Sequence, residues 1–230
     1  MKFKINYKNI PIVLLGIVAF LLVANIIGIV CKHCLEMGDS VGLIKLFDFD
    51  TESNIPTYYS IFALLFSSAL LVYIAWVHRL QQQSYLYWAF LALIFLFLAI
   101  DERLALHERL ILPVEAAIGT SGIFYFAWVV PYIVGLSVFV ILYLKFLMRL
   151  PKKIMVLFVL SGFVFVVGAI GFEMIGGNHA ETFGKKTLTY SVLYTFEELL
   201  EMLGIVMFIY TLLLYMTDEF KKIKLSFVIK

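Results

Sequence analysis

Long uncharged runs alternate with short polar stretches along the whole chain, and this alternation sets the elements. Between Pro11 and Val30 only Asn25 and glycines interrupt the apolar residues, over about the 20 positions a helix needs to cross a bilayer. Five further runs follow, and together they predict helices over residues 11–31, 56–77, 86–112, 123–147, 154–175 and 188–216. Asn54 reads as an N-cap, with Pro56 in the first turn of the second helix. Pro113 is expected to stop the third, and Gly176-Gly177 to cap the end of the fifth. The sixth exceeds the bilayer and should tilt or protrude.

The connections differ in charge. Lys2, Lys4 and Lys8 precede the first helix, Arg79 lies in the second connection, and Lys145, Arg149, Lys152 and Lys153 bracket the fourth. Lys221, Lys222, Lys224 and Lys230 close the chain. The first connection instead holds Glu36, Asp39, Asp48, Asp50 and Glu52. Basic residues mark cytoplasmic loops, so both termini are expected in the cytoplasm. Composition agrees: 63% of residues are hydrophobic, 15% are charged, and the mean hydropathy is +1.00. A soluble domain carries about 25% charged residues. The expectation is an all-α polytopic membrane protein, one integral domain over residues 1–230, in contact with membrane lipids. A net charge of +2 gives no reason to expect a nucleic-acid partner. A homo-oligomer or a membrane partner stays open.

One stretch breaks the apolar pattern. Ala89 to Ile100 holds no charge, and Asp101-Glu102-Arg103-Leu104-Ala105-Leu106-His107-Glu108-Arg109 follows it directly. A charge at mid-bilayer costs at least about 2.5–3.5 kcal/mol, so these groups have either reached water or are held inside the fold. At 1.5 Å per residue, Asp101 stands about 20 Å above Trp88, Glu173 about 30 Å above Lys153, and Glu201 about 22 Å above Met216. The third, fifth and sixth helices therefore offer carboxylates at one depth, toward the extracytoplasmic face. At 100° per residue, Asp101, Ala105, Glu108 and Leu112 form one stripe, with Glu102 on its flank and His107 pointing elsewhere. Gly162, Val166 and Ala169 lead to Glu173 along a small-residue stripe that would let helices approach. Glu197, Glu198 and Glu201 have no basic residue on their own helix within two turns.

Three readings fit these acids. Carboxylates and imidazoles suit Zn, Fe or Mn, and helical bundles build metal sites from inward-facing Glu and His. The candidates are Asp101, Glu102, His107, Glu108, Glu173, His179, Glu197, Glu198 and Glu201, although no Glu-x-x-His is present. Such a metal would support a membrane enzyme. Intramembrane carboxylates also mark cation and proton paths, which suggests a transporter or channel subunit. The plain reading is a non-catalytic scaffold whose charges form an interfacial layer, neutralised by Arg103, Arg109, Lys185 and Lys186. Taken singly, each acid fits that last reading best; the Glu197/Glu198/Glu201 triad fits it worst.

Two smaller motifs add little. Cys31-Lys-His-Cys34 is a lone C-x-x-C, read as a short disulfide or two free thiols. Asp48-x-Asp50-x-Glu52 lacks the glycine and terminal glutamate of a calcium loop and reads as a solvated edge, with Phe47 and Phe49 turned to the membrane.

Several stretches together carry a resemblance: Leu98-Ala99-Ile100-Asp101-Glu102 with His107-Glu108, Glu173-Met174-Ile175-Gly176-Gly177, Glu197-Glu198-Leu199-Leu200-Glu201-Met202-Leu203-Gly204, and Asn54-Ile55-Pro56-Thr57-Tyr58-Tyr59. In these the chain resembles a group of uncharacterised multi-pass membrane proteins of bacteria, over about four of the six predicted helices. The resemblance implies a small protein of the bacterial inner membrane and brings no activity with it.

Overall fold

Asn54 shows how the sequence places an element. Its side chain accepts from the Thr57 backbone N–H at 3.1 Å and opens helix α3, Ile55–Leu80, with Pro56 in the first turn. The computed structural model describes residues 8–35 and 42–220, and of Cys34 only the backbone. The polar stretches Lys2–Lys4 and Glu36–Asp39 and the lysines from 221 onward lie outside the described residues. Before α3 come α1, Asn9–Cys34, and the short α2, Gly42–Phe47. After it come α4 (Leu86–Leu104), α5 (Ile111–Ile118) and α6 (Val129–Leu147). The chain continues through α7 (Lys152–Val166), a π-helical segment (Val167–Phe172), α8 (Glu173–Phe183) and α9 (Leu188–Phe220). No strand occurs among the described residues.

Five helical runs are long and apolar enough to cross a membrane: α1, α3, α6, the continuous run from α7 through α8, and α9. They fit a multi-pass membrane protein. Their outward faces are apolar; Ile141 on α6 is 73% exposed and Phe163 on α7 63%, as lipid-facing surface requires. α4 is the remaining predicted span, with 19 residues that carry Asp101, Glu102 and Arg103 in the last turn.

α9 is the axis of the bundle. It packs against α1, α3, α7, α8 and the π-helical segment, and Met202, Val206, Ile209 and Leu212 on it are almost fully buried. Two glycines let backbones touch there. A Cβ on Gly168 would lie 2.7 Å from the Glu197 carbonyl oxygen, and one on Gly204 would lie 2.7 Å from the Phe165 backbone nitrogen. Asn25, the one polar interruption in α1, is buried and ties three elements together. Its Nδ2 donates to Thr195 Oγ1 at 2.9 Å, and its Oδ1 accepts from the Phe49 N–H at 3.1 Å.

Several boundaries differ from the periodicity, each for a local reason. The third helix ends at Leu104, eight positions before the predicted 112: Ala105 adopts a left-handed conformation (φ 45°) and donates its N–H to the Asp101 carbonyl. Residues 111–118, expected to hold the end of the third helix, its stop at Pro113 and the start of a turn, form the separate helix α5. Gly176-Gly177 does not end the fifth helix. Both glycines are buried inside α8, where a Cβ on Gly177 would meet the Phe126 ring at 3.0 Å. The helix ends instead at Gly184 (φ 80°), whose N–H bonds to Ala180 at 2.9 Å. Gly168 makes the close approach to α9, while Gly162 faces open space. The π-helical segment, with i→i+5 bonding, rotates everything after it relative to a 100° projection. Phe49 is in the core at 5% exposure, contrary to a membrane-facing edge. Among the described residues Cys31 forms no disulfide, and the side chain of Cys34 lies outside them.

Candidate functional site

Asp101 is the first group to account for, because it is 5% exposed in the last turn of α4. Its backbone carbonyl receives Ala105 N–H and, at 3.4 Å, Leu106 N–H, which folds the chain back over the helix end. That reversal returns His107 to Asp101. Asp101 Oδ1 accepts from the His107 backbone N–H at 2.8 Å and meets its Nδ1 at 3.2 Å. Oδ2 accepts from the Tyr132 hydroxyl of α6 at 2.8 Å. A helical extrapolation through residue 112 turns His107 away from Asp101; the break at Ala105 brings it back.

From His107 the contacts run to the other acids. Its ring lies 4.8 Å, centroid to centroid, from that of Trp128. Trp128 Nε1 donates to Glu173 Oε1 at 2.9 Å. Glu173 and Glu197 lie within electrostatic reach of each other. Glu198 lies within electrostatic reach of Glu201, Glu102, Glu52 and Glu173; Glu201 is within reach of Glu102, Glu173 and Asp101. α4, α8 and α9 therefore bring Asp101, Glu102, Glu173, Glu197, Glu198 and Glu201 into one neighbourhood, and the turn adds His107 and Glu108.

Countercharge is scarce. Among the described residues no Arg or Lys forms an ion pair with any of these glutamates. Arg103 turns outward, donating to Ser53 Oγ at 3.3 Å and lying over the Tyr58 ring. Among the described residues, His107 and Lys185 are cationic groups that act on Glu173. Outside the helices, burial works against the His107 imidazolium, but the Asp101 hydrogen bond and charge outweigh it and raise its pKa. Burial and the Glu108 charge raise that of Glu52.

The structure separates one candidate from the rest. His179 Nε2 is 2.7 Å from Thr187 Oγ1, and its ring packs on Phe183. Thr187 in turn accepts from Tyr190 N–H at 3.1 Å, so His179 braces the start of α9.

Three members were not legible as such in the sequence. Glu52, taken there as solvated, offers a ligand atom that lies within 4.8 Å of those of His107 and Glu108. Trp128 and Tyr132 are one helical turn apart, a spacing that signals a shared face and not a partner. The three acids of Asp48-x-Asp50-x-Glu52 separate: Asp48 pairs with Lys32, Asp50 lines a cleft with His33 and Tyr194, and Glu52 joins His107.

The chain belongs to a family described as a domain of unknown function, DUF8692, which matches residues 12–216. No curated protein and no solved structure matches it.

Proposed function

We propose that this protein is a membrane-embedded metal-dependent enzyme, with a divalent cation (Zn, Fe or Mn) held among these acids near the extracytoplasmic face. In this reading α4 crosses with the five longer runs, giving six spans, and both termini lie in the cytoplasm of a bacterial inner membrane, an orientation that the distribution of Lys and Arg supports. The observation that carries the reading is the convergence of Glu102, Glu173, Glu197, Glu198 and Glu201 with so few cationic groups beside them. Carboxylates gathered in one half-buried place repel one another unless cations or protons offset their charge.

The donor set fits such a metal. Carboxylate oxygens with one imidazole are what Zn, Fe and Mn accept. Asp101 on His107 Nδ1 is the outer partner that orients a ligating histidine and leaves Nε2 for the metal. Glu52, His107 and Glu108 offer ligand atoms within 4.8 Å of one another, and Glu198 and Glu201 of α9 lie within electrostatic reach of Glu52. A bound cation would supply Lewis acidity. Tyr132, Asp101 and Trp128 would hold His107 and Glu173 in place.

Elemental analysis of protein purified without chelator tests this. The expected result is a stoichiometric metal that falls sharply in Glu198→Gln, Glu201→Gln and Glu52→Gln. A metal-free wild-type protein would overturn it.

The closeness of Glu173 and Glu197 supports a second reading, a proton- or cation-coupled transporter, since intramembrane carboxylates mark such paths. Flux in proteoliposomes that Glu197→Gln abolishes, in a protein without metal, would favour it. Blank results in both assays would leave a scaffold.

A further inference from the structure

A second polar concavity lies beside the acid cluster and has the opposite charge. The end of α1, the α2–α3 loop, the turn between α8 and α9 and the first turns of α9 enclose a cleft of about 380 Å³, within the roughly 300–1,000 Å³ of small-ligand sites. Lys185 and Lys186 stand on one wall. Lys185 Nζ is over the Phe126 ring at 4.6 Å, and among the described residues neither lysine forms an ion pair. Lys32 and His33 face them from α1. Lys32 is paired with Asp48, and His33 Nε2 lies 3.0 Å from Ser191 Oγ. Asp50 is the one acid lining the cleft, so two unpaired ammonium groups face a single carboxylate.

A second observation points to a ligand. Tyr194 lines the same cleft and is 6% exposed. Its buried hydroxyl has no partner in hydrogen-bonding geometry, although Ser191 and Asp48 are near. A buried unsatisfied hydroxyl costs stability, and a bound group that accepts from it would recover that cost. Two lysines, a donating hydroxyl and a histidine suit a tetrahedral oxyanion, for which lysine is a common point-charge partner. α2 sits beside this end of the bundle with Leu43 and Leu46 exposed at 69% and 45%, apolar surface that would lie against acyl chains.

We propose that this cleft binds a phosphate group, carried by a lipid headgroup or free in solution. The inference rests on the cleft alone and does not require the metal site.

The full chain in neutral detergent, titrated with inorganic phosphate and separately with phosphatidylglycerol or diacylglycerol, tests it by native mass spectrometry and thermal shift. Wild-type protein is expected to retain phosphatidylglycerol or inorganic phosphate, and not diacylglycerol. Lys185→Gln with Lys186→Gln, both on exposed side chains, should weaken retention about tenfold or more, the scale of charged hydrogen bonds. Tyr194→Phe should weaken it as well, while leaving the ligand-free melting temperature unchanged or higher. Asp50→Asn should strengthen it. Retention of the lipid alone assigns a headgroup, and of inorganic phosphate alone a soluble anion; either supports the site. No binding of either probe, or equal binding by the double lysine variant, overturns it.

Discussion

Asp101 Oδ1 accepts from the His107 backbone at 2.8 Å and meets the ring Nδ1 of the same residue at 3.2 Å, so one buried carboxylate fixes both the end of α4 and the orientation of the histidine beyond it. With Tyr132 on Oδ2, Asp101 joins α4, the following turn and α6.

Removing that carboxylate should be costly. Asp101→Ala leaves the Tyr132 hydroxyl and the His107 N–H without their acceptor, about 1–3 kcal/mol for each donor that water does not reach. Thermal unfolding in detergent should show a large loss, with Asp101→Asn losing less. A melting temperature unchanged by Asp101→Ala would refute this account of the turn.

The same pair predicts a pH dependence. The folded protein raises the His107 pKa above 6.5, so the Asp101–imidazolium interaction stabilises fully below that value. Its contribution is lost as pH rises through the folded value. Stability should therefore fall as pH rises above about 6.5, and the fall should be smaller in Asp101→Asn. The difference between the two pH profiles, with the His107 ring followed by NMR, checks it.

If His107 ligates a metal, the proton competes for it. A ligating imidazole must be neutral, and the raised pKa extends that competition upward. Metal affinity should increase from about pH 6 to pH 8 and should depend less on pH in His107→Gln. A zinc titration at both pH values, with flat affinity in the wild-type protein, would count against His107 as a ligand.

Gly168 and Gly204 should tolerate no side chain. A Cβ on either would sit 2.7 Å from a backbone atom of the neighbouring helix, so Gly168→Ala or Gly204→Ala should cost about 1–3 kcal/mol through overpacking. Gly162→Ala enters open space and should be neutral or slightly stabilising. Equal melting temperatures for the three variants would contradict the packing of α7 and the π-helical segment on α9.

Asn25→Leu should destabilise by a different route. It leaves the Phe49 N–H without its acceptor and Thr195 Oγ1 without its donor, about 1–3 kcal/mol at a buried position. A compensating gain from the larger apolar side chain is limited because Asn25 is already enclosed at 1% exposure. Thermal unfolding against wild type measures it.

The long apolar runs, the Asn54 cap and the acids on three helices follow from the sequence alone. Segment length, cap chemistry and charge are local properties that each stretch carries wherever it packs. What the acids meet depended on the tertiary structure. α4 ends at Ala105 where its end is braced by Tyr132, 31 positions from Asp101 in sequence, and that break turns His107 toward Asp101 where a continuous helix points it away. The π-helical segment resets the facing of Glu173, and Gly168 replaces Gly162 at the approach to α9. Glu52 reaches His107 from another connection, while His179 is drawn to Thr187. A projection at 100° per residue holds only while the helix continues unbroken. Here each decisive change falls at a break held by a contact between distant segments, which no local pattern encodes.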